Sequence, residues 1–97
     1  MGDNKELEQH LQFITLKLKP FAILREIVGK GQMTLELPRQ NEGTTVADLR
    51  RRILELYPEI PARKIPFGIA VNAKIVDDKS IINDFDEIAL LPPISGG

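Results

Sequence analysis

The residues with the most distinctive chemistry in this sequence are the last two, Gly96 and Gly97. Neither has a Cβ atom, so their peptide units can enter a channel too narrow for a side chain. The terminal carboxylate is a poor electrophile because its oxygen leaves badly, whereas a mixed anhydride with AMP provides a leaving group that sulfur can displace. We therefore predict Gly97 as the reactive position, with Gly96 as its unbranched neighbour. A diglycine end is also compatible with a frayed, inert terminus.

The residues before the diglycine favour a tail that extends away from the domain. Pro92 and Pro93 resist folding back and favour an extended path of about 3.1 Å per residue, so residues 92–97 can span on the order of 18 Å. Ile94 and Ser95 continue this path, and no side chain of the tail is charged. The terminal carboxylate would then be the one charge on the tail, presented to the active site of another protein.

Other groups that could carry chemistry are scarce. The chain has no cysteine, which excludes disulfides, thiolate metal sites and cysteine nucleophiles. The single histidine, His10, lies in a polar segment beside no obvious nucleophile and is interpreted as a surface residue. The acidic residues between 77 and 87 lack the spacing of a calcium loop and are explained better by turns. We predict no metal site, no bound cofactor and no independent active site.

A run of three arginines, Arg50 to Arg52, is the strongest local charge feature. Such a run on a helix usually indicates a solvated face, and a docking patch for an acidic partner is the second interpretation. The net charge of −1 argues against a nucleic-acid or membrane partner for the chain as a whole.

Length and composition indicate one ordinary globular domain. The 97 residues suffice for one modest core, and 42% hydrophobic with 28% charged residues lies outside the disordered class. The polar N-terminus lacks the apolar run of a signal peptide, and no stretch is long enough to span a bilayer. We therefore predict a cytoplasmic protein.

Apolar residues with a period of two predict the strands that would position the tail. The segment FITLKLK alternates Ile14, Leu16 and Leu18 with polar residues, the pattern of a strand with one buried face. By the same pattern and its turn residues, strands are predicted at 13–19, at 33–38, on both sides of a turn at Asn72, and at 87–91.

Apolar residues with a helical period predict two helices. FAILREIVG places Phe21 and Leu24 on one face and ends at Gly29, a natural C-terminal cap. The main helix is predicted to begin after Thr45, with Asp48 in the capping-box position. The three prolines of PEIPARKIPF predict an irregular segment after it. The apolar stripe of the main helix consists of Val46, Leu49, Ile53 and Leu56.

This order of elements predicts an α+β fold, the β-grasp, in which a mixed sheet packs on one main helix and a flexible C-terminal tail follows. We expect a polar leader at 1–12, the β-grasp domain at 13–91 and the tail at 92–97. The stripe of the main helix, including Leu56, is expected to be buried against the first strand.

The final strand predicts a partner because it is apolar on both faces. Ile88 and Leu90 point one way, while Ala89 and Leu91 point the other. A small domain has difficulty covering both faces, so a larger subunit is expected to cover one of them. The predicted partner-binding residues are Leu91, Pro92, Pro93, Ile94 and Ser95.

Four segments closely resemble the MoaD family of the MoaD/ThiS sulfur carriers, which are small relatives of ubiquitin. They are FAILREIVG, TTVADLRRRI, AVNAKIVDD and above all DEIALLPPISGG, and the likeness covers roughly Ile14 to Gly97. Two positions depart from the family pattern. Members usually have glycine where this chain has Phe85, and often aromatic residues where it has Leu90 and Leu91.

The resemblance implies a function as the small, sulfur-carrying subunit of molybdopterin synthase. In that family the terminal glycine, here Gly97, carries a thiocarboxylate that donates sulfur to precursor Z during molybdenum cofactor biosynthesis. The partners implied are a MoaE-like large subunit, a MoeB-like adenylyltransferase that resembles ubiquitin activators and uses ATP, and a sulfur donor.

Three other functions remain open from the residues. A ubiquitin-like modifier, conjugated to lysines through Gly97, shares the fold, the tail and the adenylation step. A thiamine-pathway sulfur carrier has the same outline, although Pro92 and Pro93 favour the molybdopterin branch. The third is a β-grasp interaction domain with an inert terminus. An independent enzyme is least favoured, because no acid, base and nucleophile can be assembled from these residues.

Overall fold

A mixed five-stranded sheet forms the centre of the protein, whose computed structural model describes residues 12–93. The strand order is β2-β1-β5-β3-β4; β1 and β5 run parallel and the other neighbours antiparallel. Three helices accompany the sheet within this range. The elements in chain order are β1 (Phe13–Pro20), α1 (Ile23–Val28), β2 (Met33–Pro38), α2 (Val46–Leu56), α3 (Glu59–Ala62), β3 (Gly68–Val71), β4 (Lys74–Val76) and β5 (Glu87–Leu91).

The alternation in β1 builds one side of the core, as the sequence predicts. Ile14, Leu16 and Leu18 are fully buried, and the polar residues between them face away from the helices. Ile14 lies opposite Leu37 and Leu16 opposite Leu35 of the antiparallel neighbour β2. Because side chains alternate between the two faces of a strand, this register places the apolar sets of both strands on the same face. The predicted mixed sheet packed on a main helix is confirmed.

The main helix α2 begins at a capping box. The backbone N–H of Asp48 donates to Thr45 Oγ1 at 3.3 Å, and the backbone N–H of Thr45 donates to Asp48 Oδ2 at 2.9 Å. Two N–H groups that a helix start leaves without intrahelical partners are thereby satisfied. The hydrogen bond from the Thr45 N–H also holds the pKa of Asp48 below its ordinary value. The predicted helix start is confirmed.

The far end of α2 differs from the prediction. Val46, Leu49 and Ile53 are buried, but Leu56 is 37% exposed. The helix ends at Leu56, and the chain then turns into α3, whose Ile60 is fully buried in the core. The core therefore includes Ile60, which follows the end of α2, and leaves Leu56 partly exposed.

The segment after α2 contains the short helix α3, so the prediction of a wholly irregular segment is wrong. Pro58 occupies the N-cap of α3 and Pro61 lies within its first turn. The N–H groups at these positions have no intrahelical acceptor, so proline, which lacks an N–H, is tolerated there. The prolines of this segment therefore allow one helical turn before the chain crosses to β3.

The short helix α1 also begins later than the pattern suggests. Phe21 precedes it and is 47% exposed, whereas Leu24 is fully buried. The end of α1 is as predicted: Gly29 adopts the left-handed conformation, with φ of 84°, and its N–H donates to the Arg25 carbonyl at 2.8 Å. The exposure of Phe21 leaves an aromatic ring at the point where β1 ends.

The turn between β3 and β4 is confirmed at Asn72. Asn72 and Ala73 have φ of 49° and 73°, the two positive values that a two-residue type I′ hairpin turn requires.

Among residues 12–93, no helix has the length and apolar character needed to cross a membrane. The cytoplasmic location and the domain boundaries at 12 and 91 stay predictions.

Candidate functional site: the root of the C-terminal tail

The predicted site divides between residues that the structure describes and residues that it does not. Leu91 and Pro92 are half-buried and Pro93 is exposed. The remaining predicted site residues, Ile94, Ser95, Gly96 and Gly97, lie outside the described residues. The described part of the site is therefore the root of the tail, where β5 ends.

The strand that carries the tail is held on both sides. Leu90 lies opposite Pro20 of the parallel strand β1 and opposite Ile69 of the antiparallel strand β3. The carbonyl of Leu90 also accepts a hydrogen bond of 3.2 Å from the N–H of Phe21. A strand paired on two sides is among the most rigid parts of a fold. The tail thus starts from a fixed position and direction.

The two faces of β5 are both apolar, as predicted. Ile88 and Leu90 are fully buried on the side of the helices, while Ala89 and Leu91 on the opposite face are only half-buried. Leu91 therefore offers apolar surface that a partner could cover.

A cleft of about 340 Å³ lies beside the end of β5. Gly68 opens its floor, because a Cβ atom there would meet nothing closer than the Leu91 carbonyl oxygen at 4.0 Å. Ile75 borders the cleft from β4 and is 78% exposed, an unusual state for a large apolar residue. The lining residues are Pro66, Phe67, Gly68, Ile75, Leu91, Pro92 and Pro93.

We call the apolar residues around this exit the tail-root surface, defined as Phe21, Ile75, Leu91, Pro92 and Pro93. Phe21 lies on the β1 side, since its N–H contacts Leu90, and Ile75 lies on the β4 side. The tail leaves the sheet between them. Leu91 was predicted from the apolar final strand and the prolines from the extended tail, whereas Phe21 and Ile75 were not predicted. The sequence shows only that both residues are apolar. That their side chains are exposed follows from the fold.

Polar residues lie next to this surface on β1. Lys17 and Lys19 occupy the face of β1 opposite the core, and the Lys19 ammonium lies 3.8 Å from the Glu87 carboxylate. This ion pair is solvent-exposed, and such pairs contribute little to stability. The tail-root surface therefore has a charged margin on the β1 side.

The arginine run divides into two kinds of residue. Arg51 pairs with Asp48 at 3.3 Å and Arg52 with Glu55 at 3.5 Å, both on the exposed side of α2, as the solvated-face interpretation predicts. For Arg50 that interpretation is wrong. Its side chain is 27% exposed and contacts Asp78 and Phe67. The sequence gives no local signal for these contacts, because the partners are 28 and 17 residues further along the chain.

Asp77 and Asp86 are engaged in turns, as predicted, whereas Asp78 and Glu87 form ion pairs with residues of α2 and β1. Asp77 Oδ1 accepts from the N–H of Lys79 at 2.9 Å, and Asp86 Oδ2 accepts from the N–H of Asn83 at 2.8 Å. Residues 12–93 contain no group of three histidine, cysteine or acidic side chains placed to hold a metal ion.

The sheet order, the main helix and the tail-bearing central strand define a ubiquitin-like β-grasp protein. Residues 18–97 match the ThiS family, so the match includes Gly96 and Gly97. The molybdopterin synthase sulfur carrier subunit of Dictyostelium discoideum is 36% identical over 83 residues, which cover 84% of this chain and 94% of that protein. The Caenorhabditis briggsae protein of the same name is 34% identical over 86 residues, 87% and 99% of the two chains. The chain therefore belongs to the ThiS/MoaD family.

Solved structures agree with this assignment. The putative molybdopterin converting factor subunit 1 of Pyrococcus furiosus superposes with a TM-score of 0.72 at 27% identity, over 84% of this chain and 99% of that one. Small archaeal modifier protein 1 of Methanosarcina acetivorans superposes at 0.69 with 25% identity, over 88% and 98%. A chain from the complex of molybdopterin-converting factor subunits 1 and 2 of Helicobacter pylori has the same fold, with a TM-score of 0.56 and 22% identity over 87% and 100%.

Proposed function

We propose that this chain is the sulfur-carrying small subunit of a molybdopterin synthase, and that a thiocarboxylate on Gly97 donates sulfur to precursor Z. The observation that carries the proposal is the likeness to named sulfur carrier subunits at 34–36% identity, together with a family match that runs through residue 97. The rigid root of the tail supports it, since a reacting end group needs a defined origin and reach.

Two steps load the carrier, and the carrier itself supplies only its end group. A carboxylate oxygen of Gly97 attacks the α-phosphorus of ATP in the active site of an adenylyltransferase, and pyrophosphate leaves. Hydrosulfide released by a sulfur donor then attacks the acyl carbon, AMP leaves with the C–O bond electrons, and the sulfur loses its proton. The product is a thiocarboxylate whose sulfur is softer and more nucleophilic than the oxygen that it replaced.

The proposed partner for sulfur transfer is a large subunit that covers the tail-root surface. On this surface, the exposed residues Phe21 and Ile75 and the half-buried Leu91 surround the tail exit. The Helicobacter pylori fold relative comes from a complex of two molybdopterin-converting factor subunits. Apolar residues around the exit would fix the carrier on the partner while the tail enters the partner's active site.

The test is the intact mass of the chain after incubation with the activating enzyme, ATP and a sulfur source. The expected result is a gain equal to the replacement of one oxygen by one sulfur, lost again when the large subunit and precursor Z are added. The same spectrum checks that the mature chain ends at Gly97. If a control carrier gains sulfur under these conditions and this chain does not, the proposal fails.

A second candidate function is that of a protein modifier. Its supporting observation is the superposition on the archaeal modifier of Methanosarcina acetivorans. A modifier would join the Gly97 carbonyl to lysine side chains of other proteins as isopeptides. Mass spectrometry of tryptic peptides from the native cell distinguishes the two functions, because only conjugation leaves a remnant of this tail on target lysines.

An inert interaction domain would keep its function when one residue is added after Gly97, and a carrier would lose it.

A further inference from the structure

We call the cleft beside the end of β5 the tail-root cleft. Phe67 forms one of its walls, and Arg50 contacts Phe67 from the side away from the cleft. Phe67 is nearly buried and immediately precedes Gly68, which lies opposite Leu91 at the end of β5. On one side Phe67 borders the cleft beside the tail, and on the other its ring and its carbonyl face Arg50 of α2. A shift of Phe67 would therefore alter the position of the strand end that faces Leu91.

The guanidinium of Arg50 makes three kinds of contact at once. Nη1 donates to the Phe67 carbonyl at 2.7 Å, and Cζ lies 4.7 Å from the centre of the Phe67 ring. Nε and Nη2 donate to the Asp78 carboxylate at 3.1 and 3.0 Å. Two parallel bonds to one carboxylate fix the plane of a guanidinium, which orients the remaining donor towards the carbonyl.

The same guanidinium joins the two walls of the cleft. Asp78 follows β4, the strand that carries Ile75, and its carbonyl accepts a 3.0 Å hydrogen bond from the N–H of Ala47 in the first turn of α2. Arg50 thus connects the main helix to the Phe67 wall directly and to the β4 side through Asp78. Contacts with α2 therefore fix the positions of both walls of the cleft.

We propose that Arg50 is a positioning residue, which holds Phe67 and Asp78 so that the tail-root cleft keeps the shape that receives a partner. The inference rests on the proposed function only for the identity of that partner, the large subunit. The described contacts of Arg50 are with Asp78 and Phe67, so it acts on the cleft through Phe67.

The variants follow from the geometry. Arg50→Gln removes the charge and the planar fork, and Arg50→Lys keeps the charge but can neither bind Asp78 through two nitrogens nor stack as a plane on Phe67. Asp78→Asn removes the carboxylate that orients the guanidinium. Arg52→Gln is the matched control, because Arg52 is on the same helix and its partner Glu55 is exposed.

The first measurement is the affinity of each full-length variant for the large subunit by calorimetry. Loss of a charge-assisted contact that orients the wall is expected to weaken binding about tenfold for Arg50→Gln, which is the range of one such hydrogen bond. Arg50→Lys is expected to resemble Arg50→Gln, whereas Arg52→Gln binds like the wild type. Urea unfolding of each variant measures the folded fraction, so that affinity is compared among folded chains only.

The second measurement separates positioning from general stability. Amide NMR spectra of the isolated chain are expected to place the shift changes of Arg50→Gln at Phe67, Gly68 and Leu91. In the sulfur-transfer assay, with the large subunit as the enzyme, KM for the carrier should rise while kcat stays unchanged, because Gly97 is untouched.

Two outcomes overturn the inference. One is an Arg50→Gln variant that binds the large subunit as tightly as Arg52→Gln. The other is a spectrum in which Gly68 and Leu91 do not respond to Arg50→Gln. If the wild type does not bind the large subunit at all, the proposed function fails, and the amide shifts alone then decide whether Arg50 positions the cleft.

Discussion

Leu91 and Gly68 lie opposite each other where the pairing of β5 and β3 ends. Because Gly68 has no side chain, Leu91 borders an open cleft instead of packing against a cross-strand neighbour. The last residue of the central strand therefore keeps apolar surface at the point from which the tail departs. A contact with a partner there would fix the tail more directly than a contact elsewhere on the domain.

Leu91→Glu is expected to weaken binding of the large subunit by about ten- to a hundredfold, the range for burial of one leucine side chain. Since Leu91 is already half-exposed in the isolated chain, the free energy of unfolding should change little. Ile81→Glu is the control, because Ile81 is also an exposed apolar residue but lies outside the tail-root surface. Calorimetric titration measures both affinities. Equal affinities for Leu91→Glu and the wild type would place the interface elsewhere.

Gly96→Val is expected to abolish loading of sulfur without affecting stability. The terminal carboxylate remains, but a β-branched side chain restricts the backbone and cannot enter a channel shaped for unsubstituted peptide units. Intact mass after the loading reaction measures the effect, and Glu42→Val in an exposed loop controls for an added valine. Sulfur loading at the wild-type rate would mean that the activating enzyme does not discriminate at Gly96.

Asp48 is expected to make the stability of the domain depend on pH. Its pKa in the folded chain lies below the ordinary value, mainly through the N–H of Thr45, so the unfolded state binds a proton more readily than the folded state. The stabilisation is complete above the ordinary aspartate pKa of about 3.9 and is lost as the pH falls through the lowered pKa.

Asp48→Asn tests this pH dependence. At neutral pH the variant is expected to lose about 0.5–1 kcal/mol of unfolding free energy, because its amide is a weaker acceptor at the helix start. Urea unfolding at a series of pH values measures the difference from the wild type. The two curves should converge as the pH falls below 4, and a constant difference across the series would contradict the assignment.

Sequence reasoning succeeded where neighbouring residues decide the structure. The alternation of Ile14, Leu16 and Leu18 fixes which face of β1 is buried, and the Thr45–Asp48 capping box is complete within four residues. Both the fold and the strand that carries the tail follow from such local patterns.

It failed where a distant residue decides. Leu56 fits the apolar stripe of α2 but is partly exposed, whereas Ile60 of the next helix is buried in the core. Arg50 looks like its neighbours until the fold brings Asp78 and Phe67 to it. The tail-root cleft, which depends on the meeting of β3, β4 and β5, was therefore out of reach of the sequence, although Leu91 was not.

Phe85 provides the last prediction, since its backbone adopts a conformation that favours glycine. Its φ is 66°, in the left-handed region, and its N–H donates to the Thr15 carbonyl at 2.6 Å. A side chain in that region costs roughly 1–2 kcal/mol, whereas the extra freedom of glycine in the unfolded chain costs about 0.4–1 kcal/mol. Relief of the backbone strain is the larger effect, so Phe85→Gly is expected to raise the unfolding free energy by up to about 1 kcal/mol.

The control for this substitution is Phe85→Ala, which removes the ring but keeps a Cβ atom in the left-handed backbone. Because the Phe85 side chain is 61% exposed, its removal should cost little by itself, and the alanine variant should gain nothing. Urea unfolding of the three chains measures the order of stability, expected to be glycine above wild type and alanine at or below wild type. A glycine variant no more stable than the alanine variant would mean that the ring contributes more to this turn than the strained backbone costs.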